Sequence, residues 1–323
     1  MIAVAPMMQT LVFTLRPLTA FGTPLAGDTL FGQLCWTLRH QLGNERLHTL
    51  LQGYTSGAPF AVLSDAFPSG HLPLPHVASA VWAPSAGQDR KALKKRRWIP
   101  LSALQQPMAQ WQQLAKTDAQ LCSVIERDQP HNSINRQSGT TGEGAFAPFV
   151  VSQRWYPVGT CLDLYVLCDE QRLSRSELGA ALAFIGAAGF GRDASTGLGK
   201  FELCGEPTEM HWPQPTACNS YLTLGPCAPQ GQGFCPQRSS WQVLTRFGRH
   251  GDAAVHGGNP FKKPLLLAQA GAVLWPLSQT KTVALAGQGL GGAQQPISQT
   301  MPETVHQGYA LVLPIELPQG ASA

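Results

Sequence analysis

The sequence predicts an α+β fold in which strands and helices follow the βαββαβ order of a ferredoxin-like unit, with a second, β-rich unit behind it. Three observations predict it. Residues 9–16 and 160–168 alternate as strands, helical stripes follow at 28–42 and 174–188, and the second helix runs into a glycine-rich loop and a closing strand.

In QTLVFTLR (9–16), Leu11, Phe13 and Leu15 alternate with Thr10, Val12, Thr14 and Arg16, the period of a half-buried strand. Asp28 stands at an N-cap position, and Leu30, Phe31, Leu34, Leu38 and Leu42 share one helical face before a stop at Gly43. A short strand is expected at 60–67. Proline-rich HLPLPH then opens a polar, basic insertion, about 76–145, with little core periodicity. In TCLDLYVLC (160–168), Leu162, Leu164, Val166 and Cys168 share a face. Ser174 and Glu177 fit a capping box, and Leu178, Ala181, Leu182 and Ile185 form the stripe of the helix it starts. LGKFELCG closes the first unit, 1–205. Residues 206–240 read as a connector, and 241–323 as a β-rich domain, with a second ferredoxin-like unit as the alternative, from strand-like WQVLTRF, AVLWPL and YALVLPIEL.

Composition narrows the class. Charged residues are 13% of 323, against about 25% in ordinary globular chains, while 33 glycines and 26 prolines exceed the usual share, so turns and loops occupy much of the chain. No apolar run reaches the length of a membrane span, and the N-terminal stretch lacks the basic start of a signal peptide, so a cytoplasmic protein without membrane contact is expected. The eight cysteines form no C-x-x-C pair and read as reduced, packed thiols. Net charge is +4, yet six of the 23 basic residues fall within 90–97; outside that strip seventeen basic residues face nineteen acidic ones. The positive field is local and suits a polyanion crossing one part of the surface.

The loop GFGRDASTGLGK (189–200) begins as a Gly-x-Gly-x-x-Ala dinucleotide fingerprint. Its context excludes that reading, because a dinucleotide site needs a strand before the loop and a helix after it, and here the order is reversed. No Gly-Lys-Ser/Thr is present, so a P-loop is excluded, and no cofactor is expected. The larger regularity pairs Gly189 and Gly191 with Gly197 and Gly199, flanked by Arg192 and Lys200. Glycine lets backbone amides approach phosphate oxygens, and Ser195 and Thr196 add donors. The competing reading gives the glycines to helix capping and a tight hairpin.

Lys91, Lys94, Lys95, Arg96 and Arg97 can neutralise phosphates, and Trp98 offers a stacking face; a solvated charge run with Trp98 as a core anchor is the alternative. Asn132, Ser133, Asn135, Arg136, Gln137, Ser138, Thr140 and Thr141 carry donors and acceptors suited to single-stranded RNA, or form an ordinary surface loop. Phe21-Gly-Thr-Pro24, Arg246, Arg249 and His250 are weaker candidates, and Lys262 and Lys263 suit RNA or a protein partner equally. His131, His250 and His256 are the histidines in settings where a metal-independent ribonuclease would use one, but no paired acid and base or metal-ligand spacing accompanies them. No catalytic residue and no metal is assigned, and helix capping accounts for Asp28.

The pattern Gly-hydrophobic-Gly-x5-Gly-hydrophobic-Gly between a helix and a final strand resembles the signature loop of the repeat-associated mysterious protein (RAMP) superfamily, RNA-binding subunits of CRISPR effector complexes. GDTLFGQLCW, SDAFPSGHLPLP, KKRRWIPL, HNSINRQSGTTGEG, NPFKKPLLL and HQGYALVLPIEL, in this order, resemble segments of the guide-handle subunits of type III-A (Csm) complexes. Residues 206–240 and 288–299 match nothing in that pattern. The resemblance implies a RAMP fold with a thumb-like insertion and a non-catalytic role in antiviral defence: holding the 5′ repeat-derived handle of crRNA, docking the large polymerase-like subunit and adjoining a backbone RAMP subunit. A guide-processing endoribonuclease of the same superfamily is the alternative, and a solitary RNA-binding regulator a third.

Overall fold

The computed structural model describes residues 8–83, 89–213, 215, 217–251, 255, 258–278 and 283–318; His256 lies outside them. The first sheet contains β1 (Met8–Pro17), β2 (Ala61–Pro68), β7 (Leu162–Asp169) and β8 (Phe201–Leu203) in the order β2-β7-β1-β8, every pairing antiparallel. Helix α1 (Gly27–Leu42) connects β1 to β2, and the eight-residue α2 (Asn44–Leu51) follows the expected stop at Gly43. Helix α6 (Arg175–Ala188) connects β7 to β8 and packs beside α1. Its start is the predicted capping box: Glu177 N donates to Ser174 Oγ at 3.3 Å and Ser174 N to Glu177 Oε2 at 2.9 Å. The predicted apolar faces of β1 and α6 are the buried ones.

One expected cap is corrected. Ala26, not Asp28, occupies the N-cap of α1, and Asp28 is buried and ion-paired. All eight residues of β7 are buried, not one face alone, because Tyr165, on the face opposite Leu164 and Val166, is covered by Phe67 and Trp212, with Trp98 of the insertion packed on Phe67.

Between β2 and β7 the chain forms a ribbon of β3 (His71–Pro73) with β4 (Trp98–Pro100), the short helices α3 (Arg90–Lys94), α4 (Trp111–Leu114) and α5 (Asp118–Leu121), and a hairpin of β5 (Ile125–His131) with β6 (Phe149–Trp155). The insertion holds more core than its polarity suggests: Val81, Trp82, Ile99, Ala103, Met108, Trp111 and Ala115 join the main cluster. The hairpin is the part that stands outside it, with every residue of β5 exposed.

The stretch expected as a connector supplies β9 (Thr208–Glu209), which pairs with β1, and the fully buried β10 (Ser220–Thr223). Behind it come β11 (Val243–Arg246), β12 (Leu265–Ala268), β13 (Val273–Leu274), β14 (Leu285–Gly287), β15 (Leu290–Gly291), β16 (Val305–His306) and β17 (Tyr309–Ile315). The second sheet has the order β13-β10-β17-β14, again antiparallel, and β11 with β12 and β15 with β16 form separate ribbons. Leu222, Leu311, Leu313 and Ile315 belong to the same hydrophobic cluster as Leu11, Leu34 and Leu182, so one core spans both sheets.

Candidate nucleic-acid interface

The glycine loop leaves α6 at Gly189 and reaches β8 by folding on itself. Phe190 is buried, and its amide donates to the Gly199 carbonyl at 2.9 Å. A Cβ at position 199 would lie 2.1 Å from the Phe190 carbonyl oxygen, and one at 189 would lie 2.5 Å from that of Leu198, so these two glycines are required by close backbone approach. Gly191 and Gly197 also hold positive φ, 78° and 98°, and so does Asp193 at 62°.

The loop amides are largely consumed inside the protein. Those of Gly191, Arg192 and Lys200 donate to Gln33 Oε1, Thr23 Oγ1 and Thr19 Oγ1 at 3.2, 2.9 and 2.9 Å, and those of Leu198 and Gly199 to the carbonyls of Asp193 and Ala20. The expected row of amides facing phosphates is therefore corrected, because the fold needs those donors to hold the loop's shape. What the loop presents outward is Ser195 and Thr196 at an exposed tip, with the Arg192 and Lys200 side chains beside it. Thr196 Oγ1 donates to the Asp193 carbonyl at 2.8 Å and keeps its acceptor capacity.

Three segments meet here. Phe21 exchanges backbone hydrogen bonds of 2.9 Å with Arg154 at the root of the β5–β6 hairpin, and a Cβ on Gly22 would lie 2.7 Å from the Arg192 carbonyl oxygen. Arg192 donates to the Ser152 carbonyl at 2.7 Å and lies 3.4 Å from the Asp193 carboxylate, while remaining half exposed. The loop, the Phe21–Pro24 turn and the hairpin root thus form one surface. Gln33 on α1 braces it from below, donating to the Gly189 carbonyl at 2.9 Å as well as accepting from Gly191. Neither Gln33 nor Thr19 carried a signal in the sequence, since a lone polar residue on a helix or turn has none.

The hairpin tip carries the Asn/Ser/Thr-rich segment. Asn135 and Thr140 form a bridge, Asn135 Oδ1 accepts from the Gln137 amide at 2.9 Å, and Ser138 and Thr140 share a hydroxyl contact of 3.0 Å. Asn132, Arg136 and Thr141 are exposed, and Ser133 is half buried. His131 stacks on Phe149 with centroids 5.3 Å apart, just below the tip. Seven strand residues separate tip from root, about 20 Å of extended chain, so the tip and the glycine loop stand at opposite ends of the hairpin.

The basic strip divides. Lys91, Lys94, Lys95 and Arg97 are exposed, whereas Arg96 donates to the carbonyls of Gln112 and Gln113 and fastens the last turn of α4. Trp98 is half buried against Phe67 and donates from Nε1 to Asp118 at 2.6 Å, so it is an anchor of the fold rather than a free stacking face. Asp118 also lies 3.8 Å from Arg97 and sits in α5, just before the hairpin. Among the described residues no hydrogen bond or ion pair joins the strip to the glycine loop.

Arg246 is corrected outright. Its Nε and Nη2 donate to the two carboxylate oxygens of buried Asp28 at 2.6 and 2.9 Å, with His306 Nε2 3.3 Å from the same group. Burial alone would push the Asp28 carboxyl up, but the His306 ring and the Arg246 charge outweigh it and hold the group below its ordinary value. The neighbouring Asp65, which accepts from the Gly27 amide at 2.8 Å, is pushed up to about 7 by burial and by the Asp28 charge. Arg249 is exposed, its guanidinium 5.9 Å above the Phe261 ring. His250 is buried and 2.7 Å from Ser298 Oγ. Among the described residues no cluster of His, Cys, Asp or Glu could hold a metal, and no helix is long and apolar enough to cross a membrane.

Two antiparallel sheets sharing one core define an α+β fold that other chains possess. A chain in the crystal structure of a Csm1-Csm4 cassette in complex with pppApA superposes with a TM-score of 0.61 at 18% identity, over 97% of this chain and 100% of that one. The cassette in complex with cA4 gives 0.59 at 18% identity, over 96% and 100%. A chain of the Csm3-Csm4 subcomplex of a type III-A CRISPR-Cas interference complex gives 0.58 at 11% identity, over 95% and 99%. The chain has their fold over 95–97% of its length. No family model and no curated protein matches it.

Proposed function

We propose that the protein is an RNA-binding RAMP subunit of a type III CRISPR ribonucleoprotein, without catalysis of its own, that holds the 5′ repeat-derived handle of crRNA. The observation that carries the proposal is the match, over 95–97% of this chain, to chains in a Csm1-Csm4 cassette and in a Csm3-Csm4 subcomplex of a type III-A complex, whose shared component is Csm4. The first sheet, with α1 and α6, is read as the ferredoxin-like unit and the β5–β6 hairpin as the thumb. By the same reading the partners are a Csm1-type large subunit and a Csm3-type backbone subunit in the cytoplasm.

The chemistry fits a backbone-reading site. Arg192 and Lys200 at the loop and Lys91, Lys94, Lys95 and Arg97 on the strip supply charge for phosphates, and the hairpin tip supplies donors and acceptors for 2′-hydroxyls and base edges. Binding of a fluorescent single-stranded handle RNA, titrated against salt, tests the proposal. The expected outcome is tight, salt-sensitive binding that Arg192→Ala, Lys200→Ala and deletion of the hairpin tip weaken; binding indifferent to those changes contradicts it. Incubation of the protein with repeat RNA in EDTA tests the endoribonuclease alternative: specific cleavage, lost in His131→Ala, would overturn the non-catalytic reading.

A further inference from the structure

Away from the loop and hairpin, a cavity of ≈ 190 Å³ lies between α1 and α2 on one side and the segments around His250, Lys262 and 301–305 on the other. Its walls include Cys35, Leu47, Met301 and Val305, and its charged lining residues are Arg39, Lys262 and Glu303. Cations exceed the single carboxylate.

Lys262 is the unusual member. Its stem runs along Gly248, where a Cβ would lie 3.1 Å from Lys262 Cδ, and its charge is felt at Cys35, Asp28 and His250. Among the described residues no hydrogen bond or ion pair engages its ammonium. Asp28, the nearby buried carboxylate, is already engaged by both Arg246 donors. Burial lowers the lysine below its ordinary value and outweighs the opposing charge of Asp28. An apolar pocket with few convergent polar groups is the usual form of a small-molecule site.

We propose that this cavity binds a compact organic anion, with one phosphate or carboxylate on Lys262 and Arg39 and a small apolar body against Met301 and Val305. The volume is below that of typical ligand pockets, which excludes a dinucleotide and suits a body the size of a single ring. The inference is independent of the proposed RNA role, since none of these residues belongs to the loop, strip or hairpin.

Phenyl phosphate and benzoate are the probes, with phenol as the neutral control, each titrated by calorimetry against the full chain. Saturable binding near about 1 mM or tighter is expected for one anion and not for phenol. Lys262→Met should weaken it at least about tenfold, and Met301→Trp, which fills the apolar side and leaves the lysine in place, should do the same. Exposed Lys263→Met should leave it unchanged, and thermal melts identify any variant that fails to fold. Failure of both anions to bind, affinity in the Lys262 and Met301 variants unchanged from the unsubstituted chain, or displacement of the probe by handle RNA would overturn the proposal.

Discussion

At the loop, Arg192 and Lys200 flank a backbone whose donors are largely in use, so under the proposed role the electrostatic part of RNA binding falls to their side chains. Arg192→Ala or Lys200→Ala should weaken handle binding about equally across RNA sequences and lower the salt slope by about one unit each. Titrations at several salt concentrations check this, and a loss confined to one base would mean the loop reads sequence. Gly199→Val acts differently: a side chain placed 2.1 Å from the Phe190 carbonyl must break the loop closure, so guide retention and thermal stability should fall together. Arg246→Ala should leave RNA binding intact and destabilise the fold by about 3–5 kcal/mol, because it strands a buried carboxylate; urea denaturation measures it. Asp65 gives a pH signature. Its folded value lies above its unfolded one, so the folded chain binds the proton more tightly between about pH 4 and 7, and stability falls as pH rises through that window. Asp65→Asn, which keeps an acceptor for the Gly27 amide, should flatten that fall in melts recorded across the range.

The β5–β6 hairpin is the element to remove. Gln129 faces Val151 in the ladder, so joining them through Asn-Gly deletes the tip and restores a tight turn. Every β5 residue is exposed, so the melting temperature should hold while handle affinity drops at least about tenfold, read by calorimetry and RNA titration on the same sample. This element also marks where sequence reasoning stops. The alternation of Leu11, Phe13 and Leu15 and the Ser174–Glu177 box declared β1 and α6, because both signals are local. Buried β10 gave no such signal: Ser-Tyr-Leu-Thr is four residues long, and small polar Ser220 and Thr223 are buried on a sheet covered on both faces. Asp28 looked like a cap for the same reason, since its true partner, Arg246, is 218 residues away and no local pattern announces it.

Across the whole molecule, the two sheets are fastened through polar as well as apolar contacts. The Gln307 side chain, fully buried, accepts from Leu63 N at 2.9 Å and donates to Leu63 O at 2.8 Å, at the bulge in β2, and Asp28 with Arg246 ties α1 to β11. Residues 1–205 and 241–323 should therefore not separate on heating: calorimetry should give one transition with equal calorimetric and van't Hoff enthalpies. The glycine loop, the Phe21–Pro24 turn and the hairpin root come from three regions of the chain, and the shared core positions that surface relative to the basic strip. The most direct test of the RNA-holding role is ultraviolet crosslinking of the particle that co-purifies with the chain, with the crosslinked peptides read by mass spectrometry. Crosslinks to guide RNA within 125–155 and 189–200 are the predicted result. A particle without RNA, or crosslinks confined to other segments, would contradict it.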